Sequence, residues 1–348
     1  IKAMTIPYKD RLISTGSSII DALETLNKLG SEPIAFVVNQ DQKLIGSLTD
    51  GDIRRALLKG IDMHDKVDQI IQQHPAFLLS NQVDIAKIQS YRQRNVMVLP
   101  VVDANHCIID VISLRQQRSY LPINAMIMAG GKGSRLYPLT NNIPKPLLKI
   151  QGQSIIDRII HHLREYGIQH YWISINYLGE QIKQHIQNHY QLQHISFVQE
   201  EQALGTIGSA GLVDDFAHET TLIVNGDILS DVDYEAFYSE FNNSSADMAV
   251  LSIPYSISVP YAVLEFDQDR VIGFEEKPSY TYFSSGGVYL IKTKLLKQFV
   301  PYNTAFNATD LIQELIANGH KVVSYRHTGY WSDVGSIKDY EQAQSRFA

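Results

Sequence analysis

An apolar run from Ala125 to Met128 leads into Ala129-Gly130-Gly131-Lys132-Gly133-Ser134-Arg135-Leu136-Tyr137-Pro138-Leu139-Thr140, with Pro144-Lys145-Pro146-Leu147-Leu148 close behind. No other stretch limits so narrowly what this chain can fold into. The apolar run reads as a strand. Three glycines in four positions then let the backbone approach a phosphate closely, with amides free to donate. Arg135 and Lys145 bring two cations to the same locality. This is the chemistry of a loop that holds a nucleoside triphosphate. It is not Walker A, because no Gly-Lys-Ser/Thr ends it, and Gly-x-Gly-x-x-Gly is absent. A bare Gly-Gly-x-Gly would serve a structural turn equally well. The added Arg-Leu-x-Pro-Leu-Thr and Pro-Lys-Pro favour the binding loop.

At 348 residues the chain exceeds the usual size of a single core, which predicts two domains. A net charge of −7 with no basic tract argues against nucleic acid or an anionic membrane as partner. Cys107 is the only cysteine, so no intrachain disulfide forms and a reducing compartment is compatible. No apolar stretch approaches membrane-spanning length. Ile1-Lys2-Ala3-Met4 has no signal-peptide apolar region. A cytoplasmic location is the expectation.

Residues 1–120 carry an internal repeat. Val37-Val38-Asn39-Gln40-Asp41-Gln42-Lys43-Leu44-Ile45-Gly46 aligns with Val101-Val102-Asp103-Ala104-Asn105-His106-Cys107-Ile108-Ile109-Asp110, and each copy predicts a β-hairpin. A helical pattern precedes each: Ile19, Leu23, Leu26 and Leu29, then Ile85, Ile88 and Tyr91. Another helix is expected from Asp52. This β-α-β-β-α unit, twice in tandem, resembles a pair of CBS domains, most clearly at Gly46-Ser47-Leu48-Thr49-Asp50-Gly51-Asp52-Ile53-Arg54. The resemblance implies that Thr49 and Asp52 hold the ribose of a regulatory adenine nucleotide, although Asp is also a good helix cap. The second copy departs from the pattern, with Ser113 and Gln116 at those positions. A scaffolding module that makes the chain a homodimer or higher even oligomer is the simpler expectation.

Arg115 to Asn124, polar and containing Pro122, reads as a linker. Residues 121–348 then alternate strands and helices: helix Ile155 to Tyr166, strand Tyr171 to Asn176, helix Ile182 to His189, strand Ile195 to Gln199, and the run Thr221 to Asn225. Alternation of this kind predicts an α/β domain with a mostly parallel, Rossmann-like sheet and ligands beyond its carboxyl edge. Asn225-Gly226-Asp227 falls at that edge. Asp333, in Trp331-Ser332-Asp333-Val334-Gly335-Ser336, is its natural partner. The histidines show no metal-ligand spacing, and His161 and His162 fit a helix surface. With no hexapeptide repeats after Trp331, a left-handed β-helix and its acyltransferase activity are not expected.

Loop, aspartates and order together resemble the sugar-1-phosphate nucleotidyltransferases. That resemblance implies nucleotide contacts from Ala129, Gly130, Gly131, Gly133 and Ser134, and catalytic roles for Arg135, Lys145, Asp227, Lys277 and Asp333. Asp227 and Asp333 would hold Mg²⁺ between the sugar phosphate and the α-phosphate, an ion that needs few protein ligands. Glu275-Glu276-Lys277-Pro278 resembles the family's second lysine motif, with Lys277 on the sugar phosphate and Glu276, Gly226 and Gly287 at the sugar. Gln199, Leu204, Gly205 and Thr206 correspond to the segment beside the base. Leu-Gly-Thr-x-Gly resembles the guanylyltransferase branch, which implies GTP as donor. A CBS pair ahead of such a domain is similar to the glucosamine-1-phosphate guanylyltransferases of legionaminic-acid-type pathways. Thymidylyl- or uridylyltransfer, or a non-catalytic nucleotide-sugar-binding regulator, are the alternatives.

Overall fold

A computed structural model of the chain describes residues 7–80, 83–190 and 194–347. They divide into two compact units on either side of the Pro122–Ile123 bond.

In the first unit, β1 (Leu12–Ser14), α1 (Ile19–Lys28), β2 (Ile34–Val38), β3 (Leu44–Thr49) and α2 (Asp50–Leu58) form one repeat. Its sheet has the order β1-β2-β3, with β1 parallel and β3 antiparallel to β2. The second repeat, β4 (Leu78–Leu79), α3 (Ile85–Gln93), β5 (Val98–Val102) and β6 (Ile108–Ser113), has the same order and directions. Each copy buries its own apolar set, around Ile19, Leu26 and Leu48 in one and Ile88, Leu99 and Ile112 in the other. A third set, Phe36, Val38, Val98, Val102 and Ile108, mixes the two. The sheets therefore pack on each other, and neither copy is a separate domain.

The expected second β-α-β-β-α unit is incomplete, because no helix lies between β6 and the next strand, which starts at Asn124. The cause is local. In the first copy Thr49 and Asp52 form a reciprocal capping box that starts α2. In the second copy Ser113 gives its hydroxyl to Glu32, and Gln116 supplies no acid. The chain turns back instead and buries Tyr120 among Leu78, Ile88 and Leu99. The expected linker thus shrinks. Ser119, Tyr120, Leu121, Ile123 and Asn124 are all buried, which leaves only part of Arg115–Arg118 exposed.

The second unit runs β7 (Asn124–Met128), the hairpin β8 (Lys149–Ile150) and β9 (Gln153–Ser154), α4 (Ile155–Glu165), β10 (His170–Ile175), α5 (Gly179–His189), β11 (Ile195–Gln199), β12 (Thr220–Asn225), β13 (Ile228–Ser230) and α6 (Tyr234–Asn243). Then come β14 (Met248–Ser258), β15 (Val263–Asp267), β16 (Arg270–Glu275), β17 (Ser279–Lys292), α7 (Thr293–Phe299), α8 (Ala308–Ala317), β18 (Val322–Arg326), β19 (Trp331–Asp333) and α9 (Ile337–Arg346). Seven strands form one sheet in the order β11-β10-β7-β12-β17-β14-β18. All are parallel except β17. The near-continuous burial of Asn124–Ile127 and Thr220–Val224 is that of strands covered on both faces. Asn124 is the polar exception, and its amide bonds His218 O, Thr220 O and Thr221 Oγ1 at 2.9–3.2 Å. Among the described residues no helix is long and apolar enough to cross a membrane.

β14 and β17 outrun the sheet. Their inner halves pair inside it, the register shifts between Val250 and Ser252, and the outer halves, Ser252–Ser258 against Ser279–Ser285, continue as a two-stranded ribbon. The β15–β16 hairpin forms its tip. At the opposite end of these strands Asp247 fastens the edge: its carboxylate accepts from Lys292 Nζ at 2.7 Å and Lys321 N at 3.0 Å, and lies 3.2 Å from His320 Nδ1.

The Lys292 hydrogen bond, against a smaller effect of burial, holds the Asp247 carboxyl down to about 2. A depressed acid stabilises the fold above its unfolded pKa, near 3.9, and that contribution is lost as pH falls through the folded value. Asp247→Asn should therefore lower stability at neutral pH by about 1 kcal/mol after allowance for solvent screening, a Tm loss of about 2–4 °C. The gap between the two proteins should close between about pH 4 and pH 2. Melting curves of both across that range check this, and a gap independent of pH would remove the carboxylate from the account.

Candidate active site

Every parallel strand ends at the same edge, and the strand ends there supply the site. β7 passes into the glycine loop, β10 into Asn176, β11 into Glu200 and β12 into Gly226-Asp227. Gly226 lets the ends of β7 and β12 meet, since its N–H bonds Met128 O at 2.8 Å and a Cβ there would stand 2.7 Å from that oxygen.

The loop is closed on itself. Thr140 Oγ1 donates to Gly133 O at 2.9 Å, and buried Leu136 anchors a short 3₁₀ turn, Ser134–Leu136. Tyr177 and Gln181, at the start of α5, bond the carbonyls of Asn141 and Asn142 at 3.0 and 3.1 Å. Gly133 has φ +63°, and a Cβ there would lie 3.0 Å from Lys145 Cβ. Glycine is thus required at 133 on two counts, and it allows the lysine to pack directly beneath the loop. Gly131 faces open space.

Lys145 is 7 % exposed. Its ammonium pairs with Asp227 and lies 3.7 Å from Asp333 Oδ1. The two aspartates meet because β13 and β19 pair antiparallel with Ile228 opposite Asp333, and Val334 N bonds Asp227 O at 3.0 Å. Trp331 fixes the ribbon against the sheet through Nε1–H to Gly286 O at 2.8 Å. Arg135 is exposed, with its guanidinium beside Gly335 and Asp333. Burial first, then the charge of Asp227, push the Asp333 carboxyl above its ordinary value, against the pull of Lys145 and Arg135.

Asp227 Oδ1 and Asp333 Oδ1 are buried with no hydrogen-bond partner, and so is Asn225 Oδ1 beside them. Two adjacent carboxylates with unused oxygens fit a hard divalent cation such as Mg²⁺, which takes oxygen ligands and fills the rest of its shell with water and phosphate. Among the described residues no group of three or more His, Cys, Asp or Glu is placed to hold a metal. Among the described residues, the aspartate pair, with Asn225 Oδ1 beside it, is the oxygen set gathered here.

Not every expected residue joins this cluster. Gly287, at φ +70°, abuts the Asn225 amide and lies at the site. Glu276 and Lys277 do not: both are exposed, at the junction of ribbon and tip. With about 3.3 Å of rise per residue the ribbon carries them on the order of 30 Å along the chain from Gly286. Leu204, Gly205 and Thr206 are engaged elsewhere. Phe306 N bonds Leu204 O at 2.9 Å, Thr206 Oγ1 accepts from Ala308 N at 2.9 Å, and a Gly205 Cβ would strike Phe306 O at 2.7 Å. These residues seat the loop on the start of α8. Gln199 is exposed, and its side-chain amide donates to the neighbouring Glu200 carbonyl.

In the first unit, Asp52, expected at the ribose, is engaged within the fold. One oxygen accepts from Thr49 N and Oγ1 at 2.9 and 2.6 Å, the other from Arg55 and Gln72 at 2.6 and 3.1 Å. These four donors fill the usual acceptor positions of a carboxylate, two of them from the cap itself.

Two residues went unread in the sequence. Glu200 is buried, takes the Ser174 hydroxyl and Leu204 N–H, and presses its carboxylate against Gly130. Asn225 packs against Gly287. Both lie at strand ends on the carboxyl edge, which was the available signal.

The family model described as nucleotidyl transferase matches residues 124–348, and the CBS domain model matches residues 9–59. The chain is similar to the bifunctional protein GlmU of Methanocaldococcus jannaschii, 29% identical over 227 residues that cover 64% of this chain and 53% of that protein. It is similar to a glucose-1-phosphate adenylyltransferase of Bacillus cereus, 26% identical over 248 residues, 63% of this chain and 66% of that one. The chain thus spans about half the length of the GlmU proteins it matches. Among solved structures, HddC from Yersinia pseudotuberculosis shares the fold, with TM-score 0.52 and 24% identity over 65% of this chain and all of that one.

The contrast between two loop glycines is testable without substrate. Gly133→Ala places a Cβ at positive φ and against Lys145, and should cost about 1–2 kcal/mol, visible as a Tm several degrees lower. Gly131→Ala should stay within about 0.5 kcal/mol. Equal melting temperatures would dissociate Gly133 from the placement of Lys145.

Proposed function

The chain belongs to the nucleotidyl transferase family through residues 124–348, and from that premise we propose that it transfers a nucleoside monophosphate from a triphosphate to a sugar 1-phosphate, releasing pyrophosphate. The observation that carries this reading is Lys145 buried beneath the glycine loop and paired with Asp227 beside Asp333. A sugar phosphate is mostly dianionic near neutrality, its second pKa being about 6, and needs no general base. Its oxygen attacks the α-phosphorus in line and the bond to pyrophosphate breaks. What limits such a step is repulsion between polyanions and charge on the leaving group, which fixed cations and amides offset. Loop amides and Arg135 take the leaving pyrophosphate, and Lys145 the α-phosphate. When bound at Asp227 and Asp333, Mg²⁺ supplies charge neutralisation and orientation of the two phosphates. Lys277 is assigned to the incoming phosphate through its motif alone, and the ribbon must close toward Gly287 for that contact to form.

For the donor we assign GTP, on the resemblance of Leu204-Gly205-Thr206-Ile207-Gly208 to the guanylyltransferase segment. Since those side chains seat the loop on α8, they act on the base by positioning backbone around it. The acceptor is a hexosamine, mannose or heptose 1-phosphate, with glucosamine 1-phosphate first. The first unit acts as a scaffold in a cytoplasmic, even-numbered oligomer.

Release of pyrophosphate from each of four nucleoside triphosphates against a panel of sugar 1-phosphates tests the reading. We expect turnover, fastest with GTP, and a loss on the order of a thousandfold in a folded Asp333→Ala protein. Faster turnover with dTTP or UTP moves the protein to another branch, and near-normal Asp333→Ala activity sinks the metal assignment. Because Asp52 is saturated, turnover should be flat across millimolar AMP or ATP. A nucleotide response lost in Thr49→Ala would restore the ribose role.

A further inference from the structure

The β12–β17 half of the crevice holds a carboxamide that the fold leaves unused. Asn225 ends β12, and its Nδ2 lies so near Gly287 of β17 that a Cβ there would stand 2.7 Å from it. Glycine at 287, with φ +70°, thus makes room for the amide. The polar groups nearby on β17 and β19 are paired. Ser285 Oγ lies 2.9 Å from Tyr289 Oη, and Trp331 Nε1–H donates to Gly286 O at 2.8 Å. Asn225 Oδ1, by contrast, is buried with no hydrogen-bond partner.

A buried acceptor without a donor is costly and rare in folded proteins. Leucine has the same branched shape and would avoid the cost, so the amide is not there for packing. Which ligand group it meets follows from the loop. The first glycine of the loop, Gly130, abuts Asn176 and Glu200, and Tyr177 and Gln181 of α5 hold the loop's far side at Asn141 and Asn142. A triphosphate under the loop therefore lies toward β10 and β11. Asn225 is across β7 from them and two residues before Asp227. A ring bonded directly to a phosphate at Asp227 is brought to Asn225.

We propose that Asn225 selects the acceptor sugar, its Oδ1 taking a hydrogen bond from one ring substituent of the sugar 1-phosphate, a hydroxyl or an amine. This role rests on the transferase reading above and adds to it the residue that reads the sugar. A divalent ion is another group that would satisfy the oxygen, but Mg²⁺ takes few protein ligands and two carboxylates already stand there. The consequence is selectivity. A site built around a substrate hydroxyl or amine strongly rejects the analogue that lacks it, because the protein's own buried group is then left unpaired. Removing the oxygen from the protein removes the grounds for rejection.

The test uses the full chain and Asn225→Leu, which keeps the shape of the amide and removes its hydrogen bonding. Because Oδ1 has no partner in the fold, the variant should melt no lower than the parent; Asn225→Ala serves if leucine prevents folding. Turnover is measured with the preferred sugar 1-phosphate and with analogues that lack one hydroxyl or amine at a time. We expect the parent to lose at least about a hundredfold in kcat/KM at one position. The variant should turn over that analogue and the complete sugar nearly equally well, with an unchanged KM for the nucleoside triphosphate. Mn²⁺ binding without substrate, followed by electron paramagnetic resonance, should have the same affinity in both proteins. A variant that discriminates as the parent does overturns the proposal, and so does a parent indifferent to every deletion. A KM raised for the triphosphate alone would place Asn225 at the ribose, and a weakened Mn²⁺ affinity would give its oxygen to the ion; either overturns the proposal. A parent that turns over no sugar 1-phosphate overturns the transferase reading and this role with it.

Discussion

The site rests on one buried ammonium. Lys145 reaches two carboxylates that the chain supplies from positions more than a hundred residues apart, Asp227 after β12 and Asp333 at the end of β19. Two like charges at such range cannot both remain ionised in a partly buried place without a cation between them. The lysine therefore belongs to the fold as well as to any chemistry. Its own position depends on Gly133, whose missing side chain lets the Pro144–Leu148 segment lie directly under the loop. Loop, lysine and aspartates form one packed unit, in which each part limits where the others can be.

The sheet determines that this unit forms where it does. Because β7, β10, β11 and β12 run parallel, their carboxyl ends come out together, and every residue immediately after them is brought to one crevice. Ala129, Asn176, Glu200 and Gly226 are neighbours for that reason alone. β17 enters from the opposite direction and delivers Gly286 and Gly287 to the same edge from its other end. The ribbon beyond those glycines consequently projects from the crevice side of the sheet.

Much of this was legible in the residues. Strand and helix periods located α4, β10, β11 and β12 to within a few residues, since long apolar runs and amphipathic faces are the strongest local signals. The pairing of two distant aspartates was readable through resemblance, and the β13–β19 ribbon supplies its cause. Side-chain commitments were not readable. Nothing local to Thr206 says that its hydroxyl caps α8, and nothing local to Asp52 says that Gln72 and Arg55 consume its second oxygen. Both are tertiary facts about residues whose types suit a cap and a ligand equally. The missing helix after β6 is another instance. A repeat in sequence suggested two equal copies, but exchanging Thr49 and Asp52 for Ser113 and Gln116 removes one reciprocal cap, and a cap is worth about 1 kcal/mol. For a short helix that is enough to change the path.

The electrostatics of the aspartate pair carry the reading one step further. Lys145 and Arg135 both pull the Asp333 carboxyl down, yet burial and Asp227 outweigh them and hold it up. Burial is the first cause of that shift, and the charge of Asp227 the second. Asp227 Oδ1 and Asp333 Oδ1 are also without a hydrogen-bond partner. Under the activity proposed above, Asp227 and Asp333 would hold a divalent ion, and that ion would supply the positive charge their unpartnered oxygens lack.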